Sequence, residues 1–264
     1  MKLQIESLKF AYNGGGPVLH DIHLEALPGE VTVIIGPNAS GKSTLLKCVA
    51  GLLKPEGTIR LDGKETSKFK KDEITQWVSY LPQENSFRAV LTVFEAVLLG
   101  RIQSLSWRVG KDDLATALKA LEELGIENLA QRFLDELSGG QKQMVSMAQA
   151  LVRQSRVLLL DEPLNGLDLR HELEILDLIK EITVQRRITT VIALHDLNLV
   201  GKYADKIILL RDGDVYSSGT PKTVLTMETI RSVYGVNCKV ANNDGVLQIT
   251  PLCSIRPKFE RTVH

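Results

Sequence analysis

The 264-residue chain has little cysteine, no excess of charge and no long apolar run, and each shortage excludes something. Its three cysteines, Cys48, Cys238 and Cys253, are odd in number, widely spaced and form no C-x-x-C pair. That argues against a disulfide framework and a zinc ribbon and fits a reducing compartment. Lys and Arg total 32, as do Asp and Glu, so the formal charge is zero and a generic polyanion binder is excluded. The longest apolar runs, such as Val31–Ile35 and Val157–Leu160, fall far short of the ~18 residues that cross a bilayer. Met1–Phe10 alternates polar with apolar residues and lacks a signal-peptide core. No repeat or low-complexity tract is visible. What is present is ordinary globular composition, 44% hydrophobic and 24% charged. A chain this long buries roughly 70–75% of its unfolded surface and needs no staple. The expectation is a soluble, cytosolic-type protein.

The first sixty residues read as short strands. Leu3 and Ile5 alternate with polar neighbours, Asn13–Pro17 is a turn cluster, and Leu19, Ile22 and Leu24 open the next apolar segment. Val31–Ile35 reads as a strand covered on both faces, and Ile59 and Leu61 before Asp62-Gly63 as a hairpin edge. The middle is helical. Thr92 and Glu95 have capping-box spacing for a helix ending near Gly100, and Leu114, Leu118, Leu121 and Leu124 form an apolar stripe stopping at Gly125. After residue 150, strands at Val157–Leu160, Thr189–Leu194 and Ile207–Leu210 alternate with a helix around Leu173–Ile182. This alternation predicts an α/β core with a mainly parallel sheet, carrying a helical insertion over residues 88–145.

Gly36-Pro37-Asn38-Ala39-Ser40-Gly41-Lys42-Ser43-Thr44 matches G-x-x-x-x-G-K-[ST] between an apolar strand and a helix, the context of a phosphate cradle. Glycine lets backbone wrap closely around phosphate, and amides at the following helix start face the anion. Lys42 supplies charge to β- and γ-phosphates, and the Ser43 hydroxyl can ligate Mg²⁺. The Val157–Leu160 strand delivers Asp161 and Glu162 to its C-terminal end, where carboxylates are costly unless a cation waits. Ligands of α/β sheets bind at that edge. Asp161 is assigned to the Mg²⁺ shell and Glu162 to polarising the attacking water. A third strand ends in His195, which is a surface histidine or a donor to the terminal phosphate. Ser138-Gly139-Gly140-Gln141 reads as an N-cap, or as glycine amides meeting an anion at a helix start. Reaching the Gly36 loop from that insertion within one chain is awkward; a second copy related by a twofold axis removes the difficulty.

Taken together, these motifs resemble the nucleotide-binding subunit of an ATP-binding-cassette (ABC) transporter over nearly the whole chain. Gly36–Thr44 is similar to Walker A, Val157–Asp161 to Walker B, and Leu137–Gln141 to the LSGGQ signature. The resemblance implies a P-loop NTPase core with an N-terminal antiparallel β-subdomain and an inserted α-helical subdomain. It divides a single domain, 1–264, into core (1–87 and 146–236), helical subdomain (88–145) and short C-terminal tail (237–264). It makes Glu162 the catalytic glutamate, Gln83 the glutamine of the Q-loop with a place at the metal, His195 the switch histidine and Asp168 the D-loop aspartate. Tyr12 takes the place of the aromatic that stacks on adenine, or is simply a strand tyrosine. The implied cofactors are ATP and Mg²⁺, held between the phosphate loop of one copy and Ser138–Gln141 of another. The implied partners are integral-membrane permease subunits and, indirectly, a substrate-binding protein, with no nucleic acid; the implied location is the cytoplasmic face of the cell membrane. Phe87–Leu99 is the expected docking groove.

Three departures stand out. Ala39-Ser40 replaces a commoner glycine-containing pair, Leu164-Asn165-Gly166 is unusual D-loop wording, and Gln143-Met144 stands where many relatives carry arginines, which could weaken a local ion pair. Val90–Val93 through Gly100-Arg101, Ser218–Pro221 and Val233–Val236 are similar to importers of iron–siderophores, haem or cobalamin. Arg256, Lys258 and Arg261 read as a solvated end or a basic patch. The competing reading is a non-transport cassette such as an iron–sulfur cluster assembly ATPase.

Overall fold

A computed structural model describes residues 1–83, 90–101, 109–243 and 245–255. β1 (Leu3–Ala11) and β2 (Pro17–Ala26) pair antiparallel across the predicted turn cluster, with Leu3, Ile5, Leu19 and Ile22 inward. All five residues of β3 (Val31–Ile35) are buried, and the strand feeds a loop into α1 (Lys42–Val49). β4 (Glu56–Leu61) turns at Asp62 and Gly63 into β5 (Lys64–Glu65). Both turn residues have positive φ, 46° and 77°, as a two-residue hairpin of this twist requires. α2 (Lys71–Trp77) leads into β6 (Val78–Leu81). α3 (Val93–Leu99), α4 (Lys111–Glu123) and α5 (Gly139–Leu151) form the helical part. The Thr92–Glu95 capping box closes reciprocally, Glu95 N–H donating to Thr92 Oγ1 and Thr92 N–H to Glu95 Oε2.

β7 (Val157–Asp161), α6 (Leu169–Gln185), β8 (Thr189–Ala193), α7 (Leu197–Tyr203), β9 (Lys206–Arg211) and β10 (Asp214–Gly219) complete the core. α8 (Pro221–Val224) and α9 (Met227–Tyr234) follow, then β11 (Val236–Asn243) and β12 (Val246–Ser254) pair as a separate antiparallel hairpin. The sequence reading placed no element in that last stretch.

The central sheet runs β10-β9-β3-β8-β7-β6 and is parallel except for β10. A second, antiparallel sheet runs β2-β1-β4-β5. Alternate strand residues divide between two cores. Ile34, Leu159 and Val191 join α1 and the antiparallel sheet on one face, while Val33, Ile35, Leu158 and Leu160 join the helical part on the other. Burial on both faces is why these strands read as unbroken apolar runs. The α/β fold with a mainly parallel core and an N-terminal antiparallel sheet is as the sequence predicts.

The register sets the site. Ile34 of β3 and Asp161 of β7 both pair with Ala193 of β8, so three strand ends lie abreast. The phosphate loop, the acidic pair and His195 therefore leave the sheet at one edge.

One stripe needs correcting. Leu121 and Leu124 are buried, but Leu114 and Leu118 are exposed; the inward face of α4 runs instead through Ala117 and Ala120. Small side chains there let α4 lie close against α3 and α5, which turns the leucines on its flank outward. Among the described residues no helix is long and apolar enough to cross a membrane.

Candidate nucleotide site

The loop after β3 is shaped by close backbone approach. Gly36 has φ 151°, and a Cβ there would lie 2.2 Å from the Leu210 carbonyl oxygen and 2.7 Å from Ser40 Oγ. Gly41 has φ 101°, with Leu19 Cδ2 2.6 Å from any Cβ. Only glycine fits either place. Ala39 adopts φ 63°, so the departure from a glycine-containing pair has a cost: an L-residue in this region is strained by about 1–2 kcal/mol. Strain of this kind gathers at ligand clamps. The loop curls over Lys42, whose Nζ donates to the carbonyls of Gly36 at 2.9 Å and Pro37 at 3.1 Å. Burial lowers the Lys42 pKa, against the opposing pull of Glu162 and Asp161. Ser40 Oγ is buried without a hydrogen-bond partner among the described residues.

Asp161, 1% exposed, accepts from Ser43 Oγ at 3.0 Å and from the Tyr80 hydroxyl at 3.1 Å. Burial pushes its carboxyl pKa up, and the two hydrogen bonds resist. Glu162, next along, has a left-handed backbone at φ 49° and bonds to different partners from Asp161. Glu162 Oε2 accepts from Gln83 Nε2 at 2.8 Å and Asn165 Nδ2 at 3.2 Å. Asn38–Thr44, Val18, Gln83 and Glu162 line one depression of about 580 Å³. Tyr12, half exposed, stands beside it with its hydroxyl 3.3 Å from Thr44 Oγ1 and its ring edge-on to Phe10. His195 is exposed in the β8–α7 turn, where Asp196 Oδ1 caps α7 by accepting from the N–H groups of Asn198 and Leu199.

Ser138 caps α5 as its spacing predicts, accepting from Gln141 N–H at 3.3 Å while Gln141 Oε1 accepts from Ser138 N–H at 3.1 Å. Open space surrounds Gly139, and a Cβ on Gly140 would meet the Gly166 carbonyl at 3.2 Å. Capping thus accounts for Ser138 and Gln141 but leaves the bare glycine backbone facing a second depression. That depression, about 850 Å³, also takes in Gly166, Leu167, Asp168 and His171. Asp168 caps α6, accepting from His171 N–H at 3.0 Å, with His171 Nδ1 2.7 Å away; these contacts hold its carboxyl below the usual range. The two depressions share no residue.

Three contributors escaped sequence reasoning. Tyr80 and Asn165 touch the acidic pair; Tyr80 belongs to no motif, and Asn165 was noted only as D-loop wording, with no role at the site. Gln143 lies buried on α5, its Nε2 donating to the Pro163 carbonyl at 2.8 Å, so it ties the signature helix to the turn after Glu162. The expectation of a weakened ion pair at Gln143-Met144 is therefore replaced: Gln143 makes a buried neutral bond and Met144 is core. The one available signal for Gln143 was a polar residue on an otherwise apolar helix face.

The family model described as "ABC transporter" matches residues 19–165. The chain belongs to the ABC transporter family. Within it, the cassette is 40% identical over 255 residues to the uncharacterized ABC transporter ATP-binding protein MJ0089 of Methanocaldococcus jannaschii, covering 96% of this chain and 98% of the relative. It is 35% identical to the ferric enterobactin transport ATP-binding protein FepC of Escherichia coli K12 (97% and 96% covered). It is 38% identical to the hemin import ATP-binding protein HmuV of Gloeobacter violaceus (94% of each). Among solved structures, the cassette MJ0796 in a dimeric post-hydrolysis state with ADP and phosphate superposes with a TM-score of 0.76 at 29% identity, covering 83% and 98%. The chain is accordingly an ATP-binding subunit and an ATPase of ABC transport, and the iron–sulfur assembly reading is not favoured.

The donor set suits Mg²⁺. Ser43 Oγ and Asp161 are hard oxygen donors already 3.0 Å apart, and such ions take one or two protein oxygens and complete their shell from phosphate and water.

Proposed function

We propose that the cassette binds ATP–Mg²⁺ in the loop depression, hydrolyses it in a pair of copies and thereby drives import of an iron–siderophore, haem or cobalamin-type solute through a separate permease. The observation carrying this reading is the shared depression: phosphate-loop residues 38–44, Gln83 and Glu162 line one space, with Asp161 bonded to Ser43 at its base. Lys42 exchanges its two loop carbonyls for β- and γ-phosphate oxygens. Ser43 and Asp161 would hold Mg²⁺, with Gln83 in reach of the same shell; the ion, when bound, would supply positive charge against the phosphates. Glu162 leaves the Gln83 and Asn165 amides and orients the attacking water, accepting its proton. His195 donates to the terminal phosphate from the neighbouring strand end, and Tyr12 stacks on the adenine. Gly36, Pro37, Asn38, Ala39, Ser40, Gly41 and Thr44 complete the cradle.

Ser138, Gly139, Gly140 and Gln141 occupy a different depression, so they serve the nucleotide of a second copy, with Asp168 at the same face. Closure follows because the γ-phosphate binds the closed pair better than the open one, and its loss reverses the preference. The chain acts as one cassette, 1–264, in which 88–145 is the helical subdomain inserted into the core. It works at the cytoplasmic face of the membrane, beneath permease subunits fed by a substrate-binding protein. The import relatives support the solute class. The expected docking groove, Phe87–Leu99, lies partly outside the described residues; within it Val90 and Leu99 are exposed and Val93 and Val97 are core.

Glu162→Gln tests the mechanism. A positioned base is worth roughly 10²–10⁴ in rate, about 3–5 kcal/mol. The variant should bind ATP normally, lose that much turnover and accumulate as an ATP-loaded dimer in light scattering. Normal turnover would overturn the assignment. Co-purification with a permease, and stimulation by a solute-loaded binding protein, tests the import reading.

A further inference from the structure

The hairpin of β11 and β12 lies against α7, the helix that follows His195. Two contacts fix the pair. The Asn198 carboxamide grips the backbone of one β12 residue from both sides: Ile249 N–H donates to Asn198 Oδ1 at 2.7 Å, and Asn198 Nδ2 donates to the Ile249 carbonyl at 3.3 Å. Asn198 thus stands where a neighbouring strand would stand. Nearly one turn on, along the same face, Gly201 brings the helix so close that a Cβ would lie 3.2 Å from the Leu247 carbonyl oxygen and 3.3 Å from Leu247 Cβ. Leu247 and Ile249 are themselves buried.

Asn198 also belongs to the α7 cap, its N–H donating to Asp196 Oδ1 at 2.7 Å. One residue is therefore joined on one side to the turn that carries His195 and on the other to the hairpin. Among the described residues no side-chain hydrogen bond holds His195: it is exposed, and its position follows from that turn.

We propose that the C-terminal hairpin is a positioning element for His195, acting through Asn198 and the close seat at Gly201. This rests on reading His195 as a contact to the terminal phosphate. A misplacement of about 1 Å can cost ~10²-fold in rate, so a smaller slip of α7 should cost about tenfold.

The test uses the full chain. Asn198→Ala removes both hydrogen bonds, and Gly201→Ala wedges the seat by tenths of an ångström while favouring the helix, so the second variant folds even if the first does not. Both should lower kcat about tenfold with KM for ATP and ADP affinity unchanged within about twofold. A purely structural hairpin would instead lower Tm and leave kcat intact at temperatures where the protein is folded, which would overturn the proposal. The second readout is ATP-driven dimerisation in the Glu162→Gln background. Asn198→Ala should weaken it, and adding His195→Ala should abolish that further effect; additivity of the two would overturn the proposal while leaving the role of His195 standing. A His195→Ala chain with undiminished turnover and dimerisation would remove that role, and this inference with it.

Discussion

Replacing Gln143 with methionine separates one buried hydrogen bond from everything around it. The side chain keeps its length, the helix keeps its propensity, and only the donor to the Pro163 carbonyl is lost. Gln143 is 7% exposed and the contact is buried, so no bulk water takes over from the amide. A carbonyl orphaned in this way costs about 1–3 kcal/mol. For a chain of this size 1 kcal/mol moves Tm by roughly 2–4 °C, so a 2 kcal/mol loss should appear as a fall of about 4–8 °C. Gln143→Ala removes the same bond and opens a void besides, so it should fall further. Differential scanning calorimetry on the nucleotide-free protein measures both. Because Pro163 directly follows Glu162, turnover should drop in Gln143→Met while ATP affinity holds. A stability loss under about 0.5 kcal/mol, the level of an ordinary surface substitution, would show that the bond braces nothing.

Two further substitutions probe the depression itself. Tyr12→Ala should weaken ATP about 5–150-fold, the worth of one stacked base, and leave inorganic tripolyphosphate unaffected, whereas Tyr12→Phe should bind ATP nearly as the parent does; equal losses for both ligands in calorimetric titration would remove the stacking role. Asp161→Asn should abolish Mg²⁺-dependent hydrolysis yet stabilise the nucleotide-free, metal-free protein at neutral pH by about 0.5–2 kcal/mol, the common yield of a single stabilising substitution. The sign follows from burial: a raised folded-state pKa means the carboxylate costs stability whenever it is ionised, and that cost fades as pH falls through the raised value. The advantage of the asparagine should therefore narrow in acid, and a gap that widened instead would refute the argument.

Motifs with local grammar were legible and contacts across the chain were not. The capping boxes at Thr92 and Ser138, the Asp62-Gly63 hairpin and the phosphate loop are each written within nine residues and needed no partner to be read. The parallel core followed from apolar runs that only a strand buried on both faces can use. Leu114 and Leu118 misled because periodicity identifies an apolar face but not which part of it a neighbour covers; the small Ala117 and Ala120 decided that. Tyr80 and Gln143 escaped because one works through a carboxylate distant in sequence and the other through a backbone carbonyl, which leaves no spacing to read; Asn165 is only three residues from Glu162 but lies in an irregular turn, where that spacing points to no contact. The β11–β12 hairpin carries mostly exposed side chains, so its alternation was too faint to announce a strand.

The ladder that sets Ile34, Ala193 and Asp161 abreast makes the sheet a ruler. Adjacent strands are separated by about 4.8 Å whatever their side chains, so the gaps between lysine-bearing loop, imidazole and acid come in whole steps of that spacing. Evolution can exchange the apolar residues inside these strands, and with them thermal robustness, without altering a single interval at the rim. Adjustment of the chemistry is left to the short turns above it.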